Sequence, residues 1–315
     1  MNYFCTLFDS NYLTRGLAMY HSLVEVNEQF ELFIVCFDEL AFDILSKLNL
    51  KNITIISLNA FENVHLLKVK QTRTKGEYCW TCTSHVIRYV LDNFQLPEVT
   101  YLDADLYFFN KPAILLDEFK SSKKDVMITE HRYTPDCDQT VTAGIYCVQF
   151  MTFLNNANSI KVLQWWQDRC LEWCFDRHED GKFGDQKYLD DWLIRFDCVH
   201  VLENVGGGVA PWNIQQYTIE KGPKVNKSDV VFYHFHNLKW LSIHCFDMGM
   251  YRLQNQAVDY IYSPYLQTLQ DTLRTVQEQW DTSFLGGIQK EKSHWKNVVR
   301  KYRRKWSGIY NVIQR

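Results

Sequence analysis

Apolar positions in the first part of the chain fall in short runs separated by stretches of helical period: Tyr3 to Phe8, Leu17 to Val26, Leu32 to Phe37, Phe42 to Leu48 and Ile53 to Leu58. Short buried runs alternating with helical pattern predict βαβ units and a sheet containing parallel strands. A helix over 84–94 and a buried strand over 99–102 continue the series, with further strands expected over 126–129, 143–150 and 230–235 and an amphipathic helix over 160–175. The stretch Gly206-Gly207-Gly208-Val209-Ala210-Pro211 reads as a loop in which backbone approaches a ligand closely. No internal repeat or low-complexity linker interrupts the pattern. Residues 1–250 are therefore read as one α/β domain in two halves, 1–115 and 116–250, followed by a helical extension over 251–315.

Composition narrows the partners. A chain of 315 residues that is 46% hydrophobic buries a sizeable core. Its formal charge of −3 provides no global basic field, so no nucleic-acid partner is expected. The ten cysteines are scattered through apolar segments, the usage of reduced core residues rather than of a disulfide framework. Cys79 and Cys82, with Cys170 and Cys174 further on, lack a second tight pair for a zinc or redox site. The N-terminus runs into strand-like sequence without a charged leader, and no apolar run reaches the roughly 18 residues of a membrane span. A cytoplasmic location is expected, with any membrane contact peripheral.

The strand over 99–102 ends on charge, in Tyr101-Leu102-Asp103-Ala104-Asp105. In open α/β sheets ligands collect beyond the carboxyl ends of strands. Two carboxylates two residues apart in extended backbone share a side and offer hard oxygen donors to Mg²⁺ or Mn²⁺. His234 and His236, in Phe232-Tyr233-His234-Phe235-His236, share a face by the same spacing. Lys239 and Trp240 follow, so imidazole for a metal and an ammonium for a diphosphate come close together. Asp185 and Gln186 open a predicted helix, where Asp185 reads either as a functional carboxylate or as an N-cap. Asp190 and Asp191, within the same helix, read as a solvated face.

These motifs resemble the GT-A glycosyltransferases of the glycogenin and lipopolysaccharide galactosyltransferase type, over roughly residues 1–245. Phe8-Asp9-Ser10-Asn11-Tyr12 resembles the family's first strand and donor loop, which implies donor contacts for Thr6, Phe8, Asp9 and Tyr12. Arg88 resembles an arginine that supports the donor, Asp103 and Asp105 the metal motif, and Asp185-Gln186 the family's Asp-Gln segment. His234 to Trp240 resembles its His-x-x-Gly-x-x-Lys-Pro-Trp, with Asn237 in place of Gly and without the Pro; Thr142 stands where the family has Asn. The resemblance implies a GT-A type Rossmann-like mixed sheet and a metal cluster of Asp103, Asp105, His234 and His236 holding Mn²⁺ or Mg²⁺. It also implies a nucleotide-sugar donor, UDP-linked by preference, with Asp103 and Lys239 at its diphosphate and Asp185 and Gln186 at the reacting centre of a retaining transfer to a glycan or lipid-linked hydroxyl.

Rival readings lack support in the residues. An Asp-x-Asp-x-Thr phosphatase needs a threonine where Tyr107 stands, and a sugar nucleotidylyltransferase needs a glycine-rich phosphate loop that Leu7 to Thr14 does not contain. A sugar-binding protein on the same fold without turnover remains the non-enzymatic alternative. In the tail, Lys290, Lys292, Lys296, Arg300, Lys301, Arg303, Arg304 and Lys305 accompany Trp295, Val299, Tyr302, Trp306, Ile309 and Ile313 at three- and four-residue steps. This predicts a basic amphipathic helix, packed on the domain or lying on an anionic bilayer.

Overall fold

The computed structural model describes residues 1–26, 29–289, 302–307 and 309–315. Seven strands form its main sheet: β1 (Asn2–Phe8), β2 (Phe30–Cys36), β3 (Ile53–Ser57), β4 (Glu98–Leu102), then, past the short β5 (Leu106–Phe108), β6 (Val126–Glu130), β7 (Tyr146–Leu154) and β8 (Val199–Val201). Their order is β3-β2-β1-β4-β7-β6-β8. β3, β2, β1 and β4 run parallel, β7 is antiparallel to both its neighbours, and β6 pairs parallel with β8. This is the mixed α/β sheet expected.

The sheet is covered on both faces, which is why its strands read as unbroken apolar runs rather than as alternation. Along β1, Cys5 and Leu7 enter one core with Val35, Val86 and Trp166, whereas Phe4 and Phe8 enter the other with Leu17, Ile34 and Phe150. Helix Leu13–Val26 covers the second face and helix Lys75–Phe94 the first. The latter begins well before the expected residue 84, because Thr74 and Glu77 form a capping box that satisfies its first amides.

Two expected strands shift. Thr140–Ala143 is a helical turn, closed by Gly144 at φ +103°; β7 begins at Tyr146, after the Asp190 carboxylate takes the Ile145 N–H. The strand expected over 230–235 is β12 (Phe232–His234), paired antiparallel with β5, and Val230 and Val231 instead bond the Pro223 and Gly206 carbonyls. Before it lie the small strands β9 (Ile219–Glu220), β10 (Lys224–Val225) and β11 (Ser228–Asp229).

The glycines at 206–208 press against protein rather than ligand. A Cβ on Gly206 would sit 2.1 Å from the Asp229 carbonyl oxygen, and the loop supports β12 through Val231 N–H to Gly206 O and His234 N–H to Val209 O. None of residues 206–211 lines the main cavity.

The C-terminal region is helical over Ser263–Gln279, which packs its Tyr265, Leu266 and Leu269 into a third core with Ala18, Tyr107 and Tyr233. The tail differs from the single helix expected. Residues 290–301, including Lys290, Lys292, Trp295, Lys296, Val299, Arg300 and Lys301, lie outside the described residues. A short helix over 302–306 follows, and then β15 (Val312–Gln314) pairs with β14 (Cys245–Asp247), itself paired with β13 (Lys239–Ser242). Ile313 thus sits opposite Phe246 in a sheet, and Arg304 is buried in a two-pronged ion pair with Asp247 instead of facing solvent. Among the described residues no helix is long and apolar enough to cross a membrane.

Candidate functional site

A cavity of about 700 Å³ opens at the carboxyl ends of β1 and β4, where an open α/β sheet places its ligands. Leu7, Phe8, Asp9 and Tyr12 line it from the end of β1, and Asp103, Ala104 and Asp105 from the end of β4. Asp185, Gln186, His234 and His236 also line it, so the residues singled out by motif are largely brought together.

Asp103, Asp105 and His234 converge, with one ligand atom of each within 4.8 Å of the others. The convergence arises in a turn rather than from strand alternation. β4 stops at Leu102, Asp103 N–H bonds the Gln149 carbonyl, and Leu106 N–H turns back to Asp103 O. His234, the last residue of β12, lies across β5 from this turn, with Nε2 3.1 Å from Asp105 Oδ1 and 3.8 Å from Asp103 Oδ2. Gln149 Oε1 sits 2.8 Å from His234 Nδ1. An amide oxygen only accepts, so Nδ1 carries the hydrogen and Nε2 is the atom aimed at the carboxylates.

Burial, reinforced by the neighbouring Asp105, pushes the Asp103 carboxyl up to about 6 against the pull of His234. Burial also works to raise Asp105, but the charge and hydrogen bond of His234 outweigh it and hold that carboxyl below its ordinary range. His234 is held well above the usual histidine value: burial opposes its charge, and Asp105 and then Asp103 overcome it. Two carboxylates and an imidazole sharing protons at one point are a donor set that fits a divalent cation, Mn²⁺ as well as Mg²⁺.

His236 is not part of this cluster. It lies past the end of β12, its Nε2 2.8 Å from the Asn237 side chain, and burial lowers it to about 4. Accordingly, His234→Ala should weaken Mn²⁺ binding at least about tenfold more than His236→Ala, the scale on which a lost ligand or its support acts. Calorimetric titration checks this, and equal losses would place both imidazoles on the metal.

Asp185 is buried at the cavity wall. It occupies the end of the 186–191 turn without a side-chain capping hydrogen bond, and Trp166 Nε1–H holds its backbone carbonyl. Burial, followed by the nearby charge of Asp103, raises its carboxyl to about 7. Gln186 donates its amide to the Ala143 carbonyl. Asp190 is no solvated face, since it accepts from Ile145 N–H and Lys187 Nζ; Asp191 pairs with Arg195. Thr142, exposed, turns its hydroxyl to the Gln139 carbonyl.

Three expected donor residues stand apart from the lining. Arg88 faces outward and pairs with Asp92, Lys239 is exposed on β13, and Thr6 is buried in the sheet with its hydroxyl unpartnered among the described residues. Among the described residues the lysine that lines the cavity is Lys75, whose Nζ bridges Asp9 at 2.5 Å and Asp38 at 3.4 Å. Its signal in the sequence was the capping box beside it. Gln149 was missed too, although a glutamine inside an apolar strand run is the mark of a buried polar group with a partner. Trp80, Tyr133, Trp212 and Tyr251 add an aromatic lining from four separate segments. The ten cysteines carry no disulfide.

No family model matches the chain. It is 30% identical over 298 residues to the uncharacterized protein YfnF of Bacillus subtilis (strain 168), covering 91% of this chain and 98% of that protein. It is 28% identical over 287 residues to YfnD of the same organism, covering 87% and 91%. Among solved structures, the glycosyltransferase GlyE of Streptococcus pneumoniae TIGR4 superposes with a TM-score of 0.52 at 14% identity, over 93% of this chain and 66% of that one. The galactosyltransferase LgtC, in complex with donor and acceptor sugar analogs, superposes with a TM-score of 0.51 at 11% identity, over 94% and 99%. The fold is therefore GT-A-like.

Proposed function

Because the chain belongs to the family of YfnF of Bacillus subtilis and carries a GT-A-like fold, we propose that it is a metal-dependent glycosyltransferase that moves a sugar from a nucleotide-diphosphate donor to a hydroxyl acceptor. The observation that carries the reading is the meeting of Asp103, Asp105 and His234 inside a large cavity at the carboxyl ends of parallel strands. Residues 1–250 form the catalytic unit, with the donor on the 1–115 half and the acceptor on the 116–250 half.

Asp103, Asp105 and His234 hold the cation, with Gln149 fixing the imidazole. A bound divalent cation supplies neutralisation of the charge that grows on a leaving nucleoside diphosphate. Phe8, Asp9 and Tyr12 line the place where a nucleoside fits, and Asp9 is already oriented by Lys75. Asp185 and Gln186 stand at the reacting centre and support the charge developing on the sugar; the transfer retains configuration, as the resemblance to the glycogenin and lipopolysaccharide galactosyltransferase type implies. UDP-sugars are the donors of choice on the same ground. Tyr302 and Trp306, exposed beside exposed Arg303 and Lys305, give the tail the chemistry of a bilayer-surface contact. A peripheral cytoplasmic enzyme of bacterial surface-glycan assembly follows from that.

The test is release of nucleoside diphosphate across a panel of nucleotide sugars with Mn²⁺, with EDTA, and with added phosphatidylglycerol vesicles. The reading expects release from one donor class, stopped by EDTA, with the protein sedimenting with the vesicles at low salt. Release undiminished by EDTA rejects the metal role, absence of release across the panel leaves a sugar-binding protein, and protein that ignores the vesicles rejects the membrane contact.

A further inference from the structure

The lining of the cavity is chemically divided. Among the described residues, the ends of β1 and β4, helix Lys75–Phe94 and the segment before Gln186 contribute every acidic side chain and the one lysine of the lining: Asp9, Asp103, Asp105, Asp176, Asp185 and Lys75. The segments at 131–148, 212 and 251 contribute neither an acid nor a lysine or arginine. His131 there is kept neutral, burial lowering it to about 3.

This neutral wall is a small aromatic cluster of its own, separate from the three main cores, built from Tyr133, Cys137, Cys147, Ala210, Trp212 and Tyr251. Trp212 is its fixed centre. Its Nε1–H donates to the His131 carbonyl, its own carbonyl accepts from Thr134, and its ring meets His234 at 5.3 Å and His236 at 5.4 Å, so the wall adjoins the metal cluster. Tyr133 stacks on His131 at 4.6 Å and 13° and is half-buried, as is Tyr251, whose hydroxyl lies near the Gln139 side chain.

A pyranose has an apolar C–H face that packs on an aromatic ring and equatorial hydroxyls that need neutral donors and acceptors, here Gln139 and the two phenols. A carboxylate or phosphate set against the same wall would lose water without gaining a lysine or arginine among the described side chains. We propose, on the premise of the transferase reading, that Tyr133, Trp212 and Tyr251 form the acceptor subsite, that it takes an uncharged sugar, and that the C-terminal tail holds it in shape through Asn311.

The tail enters through backbone contacts. Asn311 Nδ2 donates to the Tyr251 carbonyl at 2.6 Å and to the Gly249 carbonyl at 3.0 Å. Arg304 donates to the same Gly249 carbonyl while paired with Asp247, and β15 extends β14 just before this segment. Asn311 touches no substrate and is a positioning residue. Tyr133 and Tyr251 are the residues that set the acceptor.

The experiment is saturation-transfer NMR of the full-length protein with Mn²⁺ and UDP, against methyl glycosides of glucose, galactose, mannose and N-acetylglucosamine, and against glucuronate and glucose 6-phosphate. At least one uncharged glycoside should bind in preference to both anions. Tyr133→Ala and Tyr251→Ala should each weaken it about tenfold, about 1.4 kcal/mol, with Tyr251→Phe retaining most of the binding. Asn311→Ala should weaken it as well, while Mn²⁺–UDP affinity in the same samples stays unchanged. Preference for the anionic sugars, failure of every uncharged glycoside to bind, or binding indifferent to both alanine variants overturns the acceptor wall. Loss of glycoside and Mn²⁺–UDP affinity together in the Asn311 variant overturns its positioning role. Failure of UDP to bind the wild type rejects the UDP-donor premise instead, separately from the wall.

Discussion

Asp105→Ala should abolish sugar transfer, lowering turnover by about a thousandfold or more, the equivalent of about 4 kcal/mol of charge stabilisation, while leaving the protein folded. The expected loss is large because Asp105 and His234 are the closest pair of the cluster, 3.1 Å apart, and Asp105 is the carboxylate held in its charged form. The fold should survive because alanine keeps the backbone bond in which the Asp105 carbonyl accepts from Phe235 N–H, and His234, losing its side-chain partner, can lose its proton rather than stay buried as an unpaired charge. Removal of one of two adjacent carboxylates also relieves Asp103 of like-charge repulsion. Circular dichroism and turnover measured on the same preparation check both halves. Retained turnover in the folded variant would remove Asp105 from the site, and an unfolded variant would give the residue a structural role instead.

Asp185→Asn should separate chemistry from binding. The substitution keeps shape and hydrogen-bonding capacity but removes the charge from a carboxyl that burial and Asp103 have raised to about 7. Turnover should fall by about a hundredfold or more, as for loss of an acid–base or charge-stabilising group, with donor affinity little changed. Stability should move the other way. An acid whose folded value is raised above its ordinary value of about 3.9 binds more protons folded than unfolded across that window. Wild-type stability therefore declines as pH rises from about 4 towards the folded value of about 7. The asparagine variant lacks this contribution, so without metal it should melt at a higher temperature than the wild type on the alkaline side. Thermal melts across pH and steady-state kinetics test the pair of effects. Unaltered turnover would return Asp185 to a structural role at the end of the 186–191 turn.

Burial pattern made the parallel half of the sheet legible. β1, β2, β3 and β4 were each visible as apolar runs because both faces are covered, and the turn after β4 was visible because it is charged. Strand direction is not written in such runs, so the antiparallel insertion of β7 between β4 and β6 was not foreseen. The pairing of Asp103 with Asp105 was expected on alternation, yet their side chains meet through a turn; the motif pointed to side chains that converge, by a different geometry. The same alternation does not carry His236 into the cluster, although it lines the cavity, because β12 ends at His234 and the chain turns through Asn237 at φ +61°. Arg88 was drawn from resemblance and Lys239 from its place just after the two histidines, whereas Lys75 and Tyr251 reach the cavity from sequence-distant segments that no local pattern links to it.

The tail shows the same limit. Its basic and aromatic residues recur at helical steps, but Ile313 extends a sheet and Arg304 answers a buried Asp247 fifty-seven residues away. Periodicity measures which positions share a face of a helix; it does not tell whether a partner elsewhere in the chain will take one of them out of it.

The most direct test of the metal-centred account is Mn²⁺ titration followed by electron paramagnetic resonance, comparing the wild type with Asp105→Ala in the presence of UDP. The account predicts one Mn²⁺ held per wild-type chain, tightened by UDP, and no such ion in the variant. Equal Mn²⁺ binding in the two proteins, or a wild type that leaves Mn²⁺ free with and without UDP, would contradict it.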